Sequence, residues 1–267
     1  MRFAALLVIA PLFLQATPLL ADRSALAKAR SLYNERQFEA AIEAATLAQA
    51  TPDTVDAATV VLARAHLERY RERADPADLS AARTALGTVR VANLDARDRV
   101  DLLMAFGEAL FFEDDYGAAA RIFESGLDAA VAAGPDSAEA MFDWWGSAVE
   151  RHADTLDRPG RAAAFERMGD RMARELVRNP LGGAPAYWLA AALRGAGDPA
   201  AAWDAAIAGW VRARMAGERS ASLRADLDKL VLGGIIPDRL RTTPPDQRAD
   251  AEAGLRAEWS LVKERWK

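Results

Sequence analysis

Residues 107–126 read GEALFFEDDYGAAARIFESG. Gly107 and Gly126 stand inside runs that otherwise favour helix, where glycine costs about 0.5–1 kcal/mol relative to alanine. The small residues Gly107, Ala119 and Gly126 are spaced 12 and then 7 apart. The same spacing recurs at Ala29, Ala41 and Ala48, and again at Ala190, Ala202 and Gly209. Phe38, Tyr116 and Pro199 stand three residues before the middle small residue, each behind a turn-like stretch: NERQ at 34–37, EDD at 113–115 and GAGD at 195–198. The pattern predicts helical hairpins. A small residue midway along the first helix admits the second at close range, and the aromatics Phe111, Phe112, Tyr116 and Phe123 fill the space beside the contact.

The stretches LLMAFGEALFFEDDYGAAARIFESGLDAA, ALAKARSLYNERQFEAAIEAATLAQATPD and AYWLAAALRGAGDPAAAWDAAIAGW resemble the tetratricopeptide repeat, a helix–turn–helix unit that stacks into a superhelix. Between them the spacing leaves room for two longer hairpins. One uses Ala63 and Ala82, with Asp75 capping its second helix and Pro76 at the first position. The other runs from Asp136 to about Pro180, with Asp136 and Glu139 as a capping-box-like pair and a second helix near Phe165 to Arg178. The expected fold is all-α: a tetratricopeptide-like solenoid of about five hairpins, two of them elongated, over residues 22–216. Residues 217–267 are expected to form a helical cap. There SASLRADLDKLVL reads as a short helix and GGIIPDRLRTTPP as a connection. A last helix from Asp246 carries Leu255, Trp259, Val262 and Trp266 on one apolar stripe.

Composition narrows the function classes. Apolar residues make up 51% of the 267, and alternation of period two is almost absent. The net charge is −5 with acids and bases interleaved, so no basic stripe points to nucleic acid. The chain has no cysteine, which excludes thiol chemistry, thiolate metal sites and a lipid-modified cysteine. Arg2, the apolar run FAALLVIAPLFL and Ala21 describe a secretory leader over residues 1–21, with a mature chain beginning at Asp22. Leu19 is larger than such a cleavage site prefers, so a retained anchor is the alternative. No later stretch is apolar and long enough to span a membrane. The reading is an exported protein, periplasmic or secreted.

No catalytic constellation emerges. His66 and His152 lie on separate predicted helices, and Ser147 is about 140° around the helix from His152, too far to pair. Glu113, Asp114 and Asp115 close too soon for a calcium loop and read as a solvated turn. Gly195 and Gly197 follow no strand, and Gly182–Gly183 and Gly233–Gly234 read as connections. No cofactor or metal site is expected. The stretch MFDWWG at 141–146 places Phe142, Trp145 and Val149 toward a core, while Trp144 is either packed between hairpins or the wall of a pocket.

The tetratricopeptide resemblance implies a binding groove along the first helices. Its candidates are Arg30, Tyr33 and Asn34; Arg64 and Glu68; Met104, Glu108, Phe111 and Phe112; Asp143, Trp144, Ser147, Glu150 and Arg151; and Tyr187 with Arg194. The mixture suits a protein or peptide partner in the cell envelope. A helical solute- or glycan-binding component, with an enclosed pocket near Trp144, Tyr187 or Trp188, is the alternative.

Overall fold

A computed structural model describes residues 18–215, 217 and 220–267. The expected leader lies almost wholly outside the described residues. Regular structure in the described residues is helical throughout, as the sequence predicts. The chain gathers into two compact units, one ending at Asn93 and one starting at Leu94.

The first unit contains α1 (Pro18–Asn34), α2 (Phe38–Ala48), α3 (Val55–Arg73), α4 (Pro76–Leu86) and a 3-10 turn at Val91–Asn93. Each helix packs on the next, and α1 also touches α3. Ala29, Ala41, Ala48, Ala63 and Ala82 are fully buried, as their spacing requires. Asp75 caps α4 through the Ala77 N–H at 3.0 Å. Two buried carboxylates fasten this unit. Asp78 on α4 accepts from the Arg69 guanidinium and lies 2.8 Å from His66 Nδ1. Asp56 on α3 accepts from the Arg90 N–H at 2.9 Å and the Asn93 amide at 2.6 Å, which ties the 3-10 turn back to α3.

The second unit contains α5 (Ala96–Phe112), α6 (Tyr116–Ala133), α7 (Pro135–Ala153), α8 (Arg158–Arg178), α9 (Gly183–Ala196) and α10 (Pro199–Ala213). After them come α11 (Ser220–Leu230), a π-helical stretch at Val231–Ile235, α12 (Ile236–Arg239) and α13 (Arg248–Arg265). The first helices of its hairpins touch in succession, α5 on α7, α7 on α9 and α9 on α11. α13 inserts Trp259, fully buried, between Trp203 and Trp210 of α10 with ring centroids 5.9 and 5.4 Å apart.

The hairpins with the 12-and-7 spacing share one turn. In the first, Arg36 has φ 60°, its N–H donates to the Tyr33 carbonyl, and the Gln37 N–H donates to Leu32. In the third, Asp114 has φ 60° with Asp114 to Phe111 and Asp115 to Leu110. In the fifth, Gly197 has φ 95° with Gly197 to Arg194 and Asp198 to Leu193. This is the double-bonded left-handed helix stop, repeated at one register. The second hairpin keeps the left-handed residue, Ala74 at φ 53°, with a single bond to Tyr70. The α7–α8 turn has no residue of positive φ, and α8 packs on α9 far more extensively than on α7.

Gly107 shows why glycine interrupts these helices. A Cβ there would lie 2.3 Å from the ring of the fully buried Phe123 on α6. The ring needs that space, and the helix propensity is given up for it.

Three local expectations are corrected. Gly134, not Asp136, precedes α7 at its cap, and Glu139 reaches to another helix instead of boxing its own. α8 begins at Arg158, well before Phe165, because Asp157 caps it through the Gly160 N–H at 2.9 Å. Gly233 and Gly234 lie inside the π-helical stretch that joins α11 to α12, so the expected connection is helical up to Arg239.

Candidate functional site

The successive first helices of the second unit enclose a cleft of about 560 Å³. α7 contributes Asp136, Glu139, Ala140, Asp143 and Ser147; α9 contributes Gly183, Ala184, Tyr187 and Trp188; α11 contributes Ser222, Leu223 and Asp226. Its wall depends on Gly146, where a Cβ would lie 2.3 Å from the Trp188 ring. The indole can therefore seat against α7, and its Nε1–H donates to Asp143 Oδ1 at 3.0 Å. Glu139 accepts from the Gly183 and Ala184 N–H groups at 2.8 and 2.7 Å, satisfying donors at the start of α9 that have no partner within their own helix.

Among the described residues, four carboxylates and no basic side chain line the cleft. Burial pushes the Asp143 carboxyl above its ordinary value; the Trp188 hydrogen bond opposes this and the charge of Asp226 adds to it. Asp143 still opens to the cleft, but the helices around it restrict its hydration. Burial pushes the Tyr187 phenol up to about 12, with Glu150, Asp226 and Asp143 adding to the shift. Glu150, half-buried, is raised by burial and by Asp154. Among the described residues no group of three or more histidines or carboxylates is disposed to hold a metal ion.

The expected groove residues separate into several environments. Asp143, Ser147 and Tyr187 meet in the cleft. Trp144 does not line it: its ring sits 5.3 Å from Phe111 and 5.8 Å from Phe112 and stacks on Phe123 at 5.9 Å. The tryptophan of the cleft is Trp188. Met104 is buried, and Glu108, expected on the groove wall, is 1% exposed, because its turn of α5 faces the core. Arg194 is drawn away to Asp238, its Nε donating at 2.7 Å across the backbone of Gly234, where a Cβ would meet the guanidinium at 2.8 Å. Arg151 is exposed. Ser147 lines the cleft while His152 lines a different recess.

Arg30, Tyr33, Asn34, Arg64 and Glu68 belong to the first unit. There the Arg64 guanidinium stacks 4.7 Å over the Tyr33 ring, joining α1 to α3. Glu68 pairs with Arg71 at 2.5 Å, Arg30 is half-buried, and Asn34 is exposed at the end of α1.

Sequence reasoning did not assign Asp136, Glu139 or Asp226 to a site. Glu139 carried a signal, an acid near a helix start, but the helix it serves begins 44 residues later. Comparison with known proteins finds no family model, no curated protein and no solved structure that matches the chain.

Proposed function

We propose that this protein is an exported helical-repeat scaffold of the tetratricopeptide kind that holds a basic segment of a protein partner in the α7–α9–α11 cleft. The observation that carries the reading is the cleft itself, walled by successive first helices, whose described lining holds four carboxylates and aromatic surface. A lysine or arginine side chain entering it gains charge-assisted hydrogen bonds, and Tyr187 and Trp188 offer aromatic surface to its stem. The repeated hairpin turn supports the repeat reading, and the leader-like start supports export. The function is binding rather than catalysis.

A photo-crosslinking residue at position 147 tests this in the native envelope. The expected result is an adduct with one protein whose captured segment carries lysine or arginine. The same group at Val177, 83% exposed on α8, should capture little. Equal capture at both positions, or an acidic captured segment, would contradict the proposal. A small cationic solute is the second reading, favoured by a cleft volume within the range of small-molecule sites. It predicts no protein adduct and an amine that co-purifies in native mass spectrometry. Protein sequencing of the envelope fraction should begin at Asp22.

A further inference from the structure

On the opposite side of α7, a second recess of about 380 Å³ opens between α6, α7 and α8. It exists because facing positions are small, Gly117 and Ala120 on α6 and Ala164 on α8, and because α8 leaves α7 to pack on α9. Its floor is the buried side chains of Trp145 and Val149. Each of the three helices brings one basic group to it: Arg121 from α6, His152 from α7 and Arg167 from α8. The His152 ring lies against the backbone of Gly117, where a Cβ would be 3.0 Å from Nδ1. Glu124 is the one carboxylate in the lining. Arg121 and Arg167 pair neither with it nor with any other described residue.

We infer that this recess binds a small organic anion, a carboxylate or phosphate ester. Its anionic group sits between Arg121 and Arg167, within hydrogen-bonding reach of His152, and its apolar body lies on Trp145 and Val149. Two guanidinium forks with no acceptor among the described residues match the paired oxygens of such a group. Glu124 limits how much negative charge the site tolerates, which favours one anionic group over a polyanion. The chain as a whole is acidic, at −5, so the basic groups here are a local arrangement and not the overspill of a basic surface.

The test is an NMR titration of the purified protein with phenyl phosphate and with inorganic phosphate, following the Trp145 indole and His152 ring signals. Phenyl phosphate should shift both signals saturably and bind about tenfold tighter than inorganic phosphate, because its ring covers the apolar floor. The double variant Arg121→Ala/Arg167→Ala should weaken phenyl phosphate on the order of 30-fold, with an unchanged melting temperature, since both side chains are exposed. No saturable shift, equal affinity for the two probes, or binding that survives the double substitution would overturn the inference.

Discussion

Asp78 in the first unit and Asp143 in the second are both carboxylates on packed helices, but they meet opposite surroundings. Asp78 is 2% exposed and held by Arg69 and His66. Burial alone would raise its pKa, but the hydrogen bonds and charges of Arg69 and His66 outweigh burial and bring it below the ordinary 3.8. Asp56 behaves alike, with burial offset by the Arg90 N–H, Asn93 and the Arg90 guanidinium. Asp143 has a neutral indole donor and another carboxylate nearby, and it is raised. The contrast separates two uses of charge. Asp78 and Asp56, which meet a base on a neighbouring segment, fasten the fold, whereas Asp143, facing a neutral donor and a second acid, leaves charge for a partner to neutralise.

The sharpest way to break this contrast is to remove each carboxylate. Asp78→Ala strands a guanidinium and a histidine beside a gap, and breaking such a buried pair costs about 3–5 kcal/mol, less here because Arg69 keeps some contact with water. Asp143→Asn should leave stability within about 0.5 kcal/mol or raise it slightly, because burial already disfavours the charged form. Denaturant midpoints check both. Acid should also separate them. A carboxylate lowered in the folded state stabilises above its unfolded value and loses that stabilisation as pH falls through the folded value, so Asp78 and Asp56 weaken the first unit below about pH 3.8. Asp143 has the opposite sign, and its unfavourable charge is relieved on acidification.

The second comparison lies along the glycines. Gly107→Leu drives branched carbon into Phe123 and should cost about 1–3 kcal/mol. Gly117→Ala meets only the half-buried His152 ring at 3.0 Å, so a small ring shift should keep the cost well under the Gly107 value. Equal denaturant midpoints for the two variants would break the packing account. The smallest effect is expected at the shared turn. Arg36 adopts the left-handed conformation that Gly197 adopts at the equivalent place, and its contact with Glu72 is a loose 3.6 Å. Arg36→Gly should therefore raise stability by up to about 1 kcal/mol, read as a higher melting temperature.

These comparisons also show how far the sequence reaches. The 12-and-7 spacing led to the hairpins and the buried alanines because close helix contacts admit few residue types. It also located three turns that prove to share their hydrogen bonds. Asp75 could be read as a cap because its partner is two residues away. Glu139 could not be read correctly because its donors come from another helix. The same limit applies to Arg194, a plausible groove residue until α12 brings Asp238 to it. Trp144 and Trp188 were both candidates for a pocket wall, and Gly146 decided between them by seating the Trp188 ring. The gathering of four carboxylates was invisible in a chain whose acids and bases interleave, because it arises only when α7, α9 and α11 come together.

The central claim is that the α7–α9–α11 cleft selects a basic segment through its carboxylates, Asp143 and Asp226 foremost. Calorimetry with a lysine-rich peptide and a glutamate-rich peptide of equal length tests it, using wild type, Asp143→Asn/Asp226→Asn and Arg121→Ala/Arg167→Ala. The account predicts that the lysine peptide binds wild type and the glutamate peptide does not. Losing two charge-assisted contacts should weaken the lysine peptide about tenfold or more in the Asp143→Asn/Asp226→Asn protein and leave it unchanged in the arginine variant. A bound cation favours the ionised carboxyl, so the affinity should also fall as pH drops through the raised Asp143 value. Equal lysine-peptide affinity in wild type and the Asp143→Asn/Asp226→Asn protein, or tighter binding of the glutamate peptide, would contradict it.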